Sequence, residues 1–387
     1  MVPPVNPSGR RPTSADVARL AGVSTGAVSY ALNGKGGVSE ATRQRILEAA
    51  EQLGWRPNEA ARALSFSRAG AIGFIIARPP QTLGDESFYM QLITGMETEL
   101  SKSSTALLLQ TVETVEESVE AYRRWAAQGR VDGVVVSDLR HDDPRPAALR
   151  QLRLPAVALG GDAQTGLPRV YSDESESVRE VITYLAGLGH QRIGYVSGSP
   201  TYLHVLNRTK VYTDVMLTLG LEPTVEATDF SVESGRSATR RFLASQRPPT
   251  ALVYDSDAMA VAGLAVATAA GVPVPHDLSI VAWDDSLLCQ VVHPALTAIS
   301  RDIRALGGVA ASHLRAVLQS AARGIPQDPS KDALPDVVQP TPHLVTRAST
   351  SPPPTSAMTP APRSGSRRAK NGKGRVTAGP STPPDVR

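Results

Sequence analysis

Short apolar runs recur along most of this 387-residue chain, each followed by a stretch of amphipathic spacing. The runs are Ile72 to Ile76, Ala106 to Leu109, Val134 to Val136, Ala156 to Leu159, Ile193 to Val196, Ala251 to Val253 and Leu278 to Ala282. Unbroken Val/Ile/Leu runs of this length suit strands covered on both faces. Between them, segments such as 88–101, 115–128, 175–188, 205–219 and 257–270 carry helical spacing with Gly or Pro near many ends. Strand and helix in strict alternation require a parallel sheet. The pattern runs from Ala71 to about Arg347, more than one such sheet needs, so the expected fold class is α/β in two lobes. Ligands of such folds bind outside the carboxyl ends of the strands, here in the cleft between the lobes.

Outside that body the composition changes. Residues 1–12 are proline-rich and lack the apolar core of a signal peptide, so export is not expected and the cytoplasm is. Ala258 to Pro275 is uncharged but rich in Ala and Gly and ends at prolines, which reads as a buried helix and no membrane span. Residues 348–387 combine prolines with the basic run Arg363, Arg367, Arg368, Lys370, Lys373 and Arg375 and hold little to bury; a disordered tail is expected there. A net charge of +3 does not by itself announce a nucleic-acid binder. Cys289, the single cysteine, excludes an internal disulfide.

The head is a different kind of unit. Thr13 stands as an N-cap with Asp16 three residues on, as in a capping box, and Gly22 ends the helix. Ser24 then caps a second helix through Leu32, stopped by Asn33-Gly34, and a third runs from Ser39 to Leu53. Val17, Leu20, Ala21, Val23, Val28 and Leu32, closed by Ile46, Leu47, Ala50 and Leu53, form the expected core. In such a helix-turn-helix the second helix enters the major groove with its N-terminal residues, which here are Thr25, Gly26 and Tyr30. Ser24, Ser29 and Asn33 are placed for phosphate contacts, which set register without reading sequence.

The run Asp16 to Ser24 (DVARLAGVS), followed by Val28-Ser29, Leu32-Asn33 and Val38-Ser39, resembles the head of the LacI/GalR family of bacterial repressors. The resemblance continues through Leu53 to Asn58 (LGWRPN) and Ala60 to Leu64 (AARAL), similar to the family's hinge helix, and covers nearly all of residues 13–347. It implies domains at 13–57 for the helix-turn-helix, 58–67 for the hinge and 71–347 for a periplasmic-binding-protein type I body. It adds Thr13, Asn58, Ala61 and Leu64 to the DNA-binding residues, with Leu64 as a minor-groove wedge on operator DNA. A helix of about eight residues is marginal alone in water, so the hinge should form only when docked. Glu59 departs from the basic residue common there, and a carboxylate facing phosphates opposes binding.

For the body the resemblance implies effector contacts at Phe88, Tyr89, Arg208 and Asp257. Trp283 offers a flat apolar face, and Arg78 and Asp138, just past strand ends, are further candidates. Charged groups that hydrogen-bond paired hydroxyls beside a stacking surface favour a sugar. Ser256 stands where the family commonly carries Asn. A two-fold DNA-reading logic predicts a homodimer on a pseudo-palindromic site. Without leucine heptads after Arg347, a tail-zippered tetramer is not expected. No cofactor, metal or catalytic residue is expected: phosphate-binding Gly-rich loops, Gly-x-Ser-x-Gly and zinc spacings are missing, and His190, His204 and His293 are scattered. A solute-binding transport component, the other use of such a body, fits poorly with the attached head.

Overall fold

Three helices build the amino-terminal unit of the computed structural model, which describes residues 12–32, 37–55, 69–79, 87–322 and 334–355. Helix α1 (Ser14–Ala21) starts as the sequence predicts: the Asp16 carboxylate accepts from the Thr13 backbone N–H at 2.9 Å and from its hydroxyl at 2.7 Å. It stops at Gly22, whose φ of 67° is a left-handed conformation open to glycine. Helix α2 (Thr25–Leu32) is capped by the Ser24 hydroxyl, which accepts from the Ala27 N–H at 3.2 Å, and α3 (Glu40–Gln52) by Ser39. The buried residues are Val17, Ala18, Ala21, Val28, Ala31, Ile46, Ala49 and Ala50. Leu20 and Leu47, expected in this core, are 51% and 44% exposed. The buried stripes run through 17, 18 and 21 and through 46, 49 and 50; at 3.6 residues per turn each is centred about 100° round the helix from the leucine, and alanines fill the inside. Asn33 and the hinge at 58–67 lie outside the described residues.

The first lobe holds β1 (Ala71–Ala77), β2 (Ala106–Val112), β3 (Gly133–Val136), β4 (Ala156–Leu159), β5 (Arg169–Tyr171) and β11 (Val337–Val338), in the order β11-β5-β4-β3-β1-β2. All its pairs are parallel. Strand β1 shows why the apolar run is unbroken. Ile72, Phe74 and Ile76 join one core with Leu92 and Met96 of α4 (Ser87–Leu100), while Ile75 and Ala77 join another with Tyr122 and Trp125 of α5 (Val115–Gln128). Helix α6 (Pro144–Gln151) covers the same face as α5.

The second lobe repeats the plan with β6 (Ile193–Ser197), β7 (Thr224–Ala227), β8 (Ala251–Tyr254), β9 (Ser279–Trp283), β10 (Thr297–Ser300) and β12 (His343–Val345), in the order β12-β10-β9-β8-β6-β7. Only β12 is antiparallel, against β10. Its helices are α7 (Ser175–Gly187), α8 (Leu203–Thr218), α9 (Val232–Leu243), α10 (Asp257–Ala269) and the short α11 (Leu287–Val291). The chain passes between the lobes three times, at residues 172–174, 301–302 and 339–342. After the second passage α12 (Ile303–Ala322) returns to the first lobe and packs on α4 so closely that a Cβ on Gly95 would stand 2.0 Å from the Arg304 carbonyl oxygen.

The folded body continues past the boundary expected at Arg347. The Ser349 hydroxyl, fully buried, donates to the Ile280 carbonyl at 2.6 Å and accepts from the Thr297 N–H at 2.8 Å. The His190 ring pairs with the Thr250 hydroxyl at 2.8 Å and the Ser351 carbonyl at 3.0 Å. A run of small hydroxyl residues carries no apolar signal, yet it finishes the edge of the second lobe through hydrogen bonds. Residues 356–387 lie outside the described ones.

Candidate functional site

Strands β1, β3, β4 and β5 of the first lobe and β8, β9 and β10 of the second end at one cavity of about 710 Å³, within the range for small-molecule sites. Arg78 follows β1, Asp138 follows β3, Asp255 to Asp257 follow β8, Asp284 follows β9 and Arg301 follows β10. Three residues here take left-handed backbone conformations without being glycine: Asp138 (φ 52°), Phe230 (φ 72°) and Asp284 (φ 68°). Such strain gathers at sites whose side chains must point where the local backbone would not send them. Gly198 makes room for Phe230, since a Cβ there would lie 2.0 Å from the ring.

From the first lobe, the Arg78 guanidinium donates to both oxygens of Asp138, at 3.0 and 3.1 Å. It lies 4.7 Å from the ring centroid of Tyr202 and 4.6 Å from that of Phe230, both of the second lobe. Such stacking is worth about 0.5–2 kcal/mol per ring and joins the lobes across the cleft. Burial alone would raise the Asp138 carboxyl, but the Arg78 charge and hydrogen bonds outweigh it and hold it well below the usual carboxylate range. The Leu203 N–H donates to the Leu139 carbonyl at 2.9 Å, and the Ser87 hydroxyl to Asp257 at 3.1 Å, so the cleft is spanned on both sides.

The floor is a chain of alternating charges. Asp255 accepts from Arg208 at 3.2 Å, Arg208 donates to Glu174 at 2.7 and 2.9 Å, and Glu174 accepts from Arg301 at 2.8 Å. Arg301 closes the chain on Asp284 at 2.6 and 3.1 Å. Burial would raise the Glu174 pKa, but the two arginines bring it down to about 2. Glu174 and Arg301 belong to the first two passages between the lobes, so the chain ties cleft floor to hinge. Asp257 contrasts with it: burial pushes its carboxyl up, and the nearby Asp284 charge adds to the shift. Burial, with the Arg208 charge beside it, lowers the His204 pKa to about 4, and its ring stacks on Tyr202 at 5.7 Å.

Of the seven residues expected to meet an effector, Arg78, Phe88, Asp138, Arg208 and Asp257 line the cavity. Tyr89 and Trp283 do not; both are 1% exposed and act from beneath. The Tyr89 hydroxyl donates to Asp138, and the Trp283 ring lies 3.9 Å under the Arg208 guanidinium. Sequence reasoning passed over Glu174, His204, Asn207, Phe230, Asp255, Asp284 and Arg301, which also line it. Asp255 and Asp284 stand two residues past apolar runs named above, but Glu174 follows a strand of three residues (RVY) and Arg301 one with polar ends (TAIS), and neither leaves an apolar run. Among the described residues no group of three His, Cys, Asp or Glu side chains is arranged to hold a metal, and no helix is long and apolar enough to cross a membrane.

In the head, Ser24, Thr25, Gly26, Ser29 and Tyr30 are all exposed along one side of α2 and its cap, while Val28 and Ala31 face the core. Thr13 is half-buried, with its hydroxyl engaged by Asp16. Asn33, Asn58, Ala61 and Leu64 lie outside the described residues.

Residues 13–58 match the family described as bacterial regulatory proteins, lacI family, and residues 182–350 match the periplasmic binding protein-like domain. The HTH-type transcriptional regulator CelR of Thermobifida fusca is 32% identical over 306 residues, which cover 77% of this chain and 89% of CelR. The HTH-type transcriptional repressor PurR of Photobacterium profundum is 31% identical over 304 residues, with the same coverage of each chain. Among solved structures, the lac repressor dimer bound to operator and the anti-inducer ONPF is similar at a TM-score of 0.76 and 25% identity, over 88% of this chain and 100% of that one. A CelR–cellobiose complex is similar at 0.64 and 29% identity, with the same coverage.

Proposed function

Because this chain belongs to the LacI family of bacterial transcriptional regulators, we propose that it is a repressor whose grip on a pseudo-palindromic operator is set by a small sugar bound between its lobes. The observation that carries this reading is the cavity itself: polar groups from both lobes converge on it, and its floor is ion-paired to two of the three interlobe passages. A ligand that changes how the lobes meet would shift the paired amino-proximal lobes and, through them, the spacing of the two heads, a coupling of roughly 1–3 kcal/mol between sugar and operator. The CelR–cellobiose complex supports a sugar in this position.

The working unit is a homodimer in the cytoplasm, associated with the nucleoid. One head covers a half-site, and two-fold symmetry doubles its contacts. Met90 (64% exposed), Leu287 (71%) and Val291 (66%) leave apolar surface on both lobes that pairing would cover. Thr25, Gly26 and Tyr30 read base edges, Ser24, Ser29 and Asn33 hold phosphates, and Leu64 with Asn58 and Ala61 acts at the minor groove.

The test is fluorescence anisotropy on the inverted repeat of the adjoining promoter, with and without a panel of sugars. Leu64→Ala is expected to weaken operator binding and leave sugar binding unchanged; Arg208→Ala is expected to do the reverse. Equal losses in both assays, or no preference of the protein for any palindrome over random DNA, refute the reading.

A further inference from the structure

Among the described residues the cleft lining is lopsided in charge, with seven carboxylates to four guanidiniums. Each guanidinium is already committed. Arg78 is held by Asp138, Arg208 by Glu174 and Asp255, Arg301 by Glu174 and Asp284, and Arg169 by Asp336 and the Gly161 carbonyl. Each also lies over an aromatic ring, Arg78 over Tyr202 and Phe230, Arg208 over Trp283, Arg301 over Phe88 and Arg169 over Tyr171. An anionic ligand would have to expel a carboxylate from one of these pairs, which leaves that carboxylate uncompensated in the same cavity.

Helix N-termini are the other place where an anion could settle. The chain's own side chains fill two of those that open on the cleft, α7 and α10; a third, α8, has no side-chain cap, and its Leu203 N–H is taken by the Leu139 carbonyl. At α7, Asp173 accepts from the Ser175 N–H at 2.9 Å. At α10, the Ser256 hydroxyl accepts from Met259 at 3.2 Å and the Asp257 carboxylate from Ala258 at 2.8 Å.

The unmatched charge is on the other side. Asp162, Asp173 and Asp257 line the cavity with no arginine or lysine paired to them among the described residues. Asp257 is the most buried of the three, 4% exposed, and its partners are hydroxyls and its own helix: Ser87, Ser286 and the Ala258 N–H.

We propose that the effector carries no negative charge and gives Asp257 a hydrogen-bond donor, a hydroxyl or an ammonium, so that phosphorylated and carboxylated sugars are rejected while neutral and aminated ones are accepted. This rests on the reading of the cleft as a sugar site and narrows it to a charge class. The surplus of carboxylates also sets an order: an ammonium group added to a bound sugar strengthens binding or leaves it unchanged, and a phosphate or carboxylate added to the same sugar abolishes it.

The experiment uses the full-length protein in thermal-shift and calorimetric titrations against matched sets: glucose, glucosamine, glucose 6-phosphate and glucuronate, the same set on galactose, and cellobiose with cellobionate. Binding confined to neutral and aminated members is the expected result, with affinity on the order of 10- to 100-fold lower in Asp257→Asn, because one charge-assisted hydrogen bond is lost. Asp257→Asn keeps shape and should fold; an unchanged melting temperature without sugar confirms that. A phosphate- or carboxylate-bearing member that binds while its neutral parent does not overturns the charge rule and leaves the sugar site standing, as does full affinity in Asp257→Asn. If no member binds while the protein still selects its operator, the sugar reading fails and the charge rule falls with it.

Discussion

Replacing Glu174 by Gln removes the central charge of the cleft floor without changing its shape. Arg208 and Arg301 bring the Glu174 pKa from 4.5 to about 2, and each unit of such a shift is worth about 1.36 kcal/mol, so the carboxylate contributes roughly 3 kcal/mol. Both arginines keep a second acid, Asp255 and Asp284, so the loss should stay near 2–3 kcal/mol, below the ~3–5 typical of a buried pair broken outright. For a body of this size that is a fall in melting temperature of about 5–10 °C at pH 7.5. The folded pKa is depressed, so the contribution is complete above pH 4.5 and fades as pH falls toward 2; the wild type and Glu174→Gln should differ equally at pH 7.5 and pH 6. The assay is differential scanning calorimetry of both proteins at both pH values, extended to Arg301→Ala and the double variant. A coupling of about 1–3 kcal/mol is expected from the cycle. A shift under about 1 °C, or additive single effects, would show that the chain of charges across the interlobe passages is not an energetic unit.

Three further outcomes follow from other parts of the molecule. Gly26→Ala adds a Cβ that meets only the Ser24 hydroxyl at 3.7 Å, so the head should gain about 0.5–1 kcal/mol of helix stability while operator affinity falls; affinity within twofold of wild type would show that the backbone at 26 does not approach the bases. The His204 pKa of about 4 lies below the ordinary 6.5, so its neutral burial stabilises the body above pH 6.5 and that stability drains away as pH drops toward 4. Allowing for its partial exposure this is about 1–2 kcal/mol between pH 7.5 and 5, and His204→Gln should melt with a flatter pH dependence, which calorimetry at the two pH values checks. Ser349→Ala strands the Thr297 N–H and the Ile280 carbonyl inside the second lobe, for a loss of about 1–3 kcal/mol in urea unfolding; no change in midpoint would mean the segment after Arg347 is not part of the lobe.

The two-lobed fold was legible because its central strands are buried on both faces, and a strand such as β1 has no position free to be polar. The edge strands were not. Strand β7 (TVEA) is largely exposed and β11 is two residues long, so neither leaves an apolar run, and β5 and β12 are hardly longer. The helix caps at Thr13, Gly22 and Ser24 were readable because capping is local chemistry between residues three apart. Which leucine faced inward was not, since alanines at 18 and 49 fill the head core and composition alone favours the larger side chain. In the cleft, arginines and aspartates at strand ends could be found by position, but the roles of Tyr89 and Trp283 depend on depth, and both turned out to support charged residues from below. Phe230 was invisible because its ring reaches the site only through a left-handed backbone turn over Gly198.

The three passages between the lobes have a consequence for how the molecule is made. The first sheet waits for β11 and for α12, which are translated after nearly all of the second lobe, and the second sheet waits in turn for β12 and the Ser349 segment. Neither half can be completed while the ribosome is still short of residue 338, so vectorial, one-lobe-at-a-time folding is closed to this chain. A polypeptide released early, at residue 300 for example, would hold two unfinished sheets with open edges and no finished lobe, a species for chaperones and proteases and not a half-functional fragment.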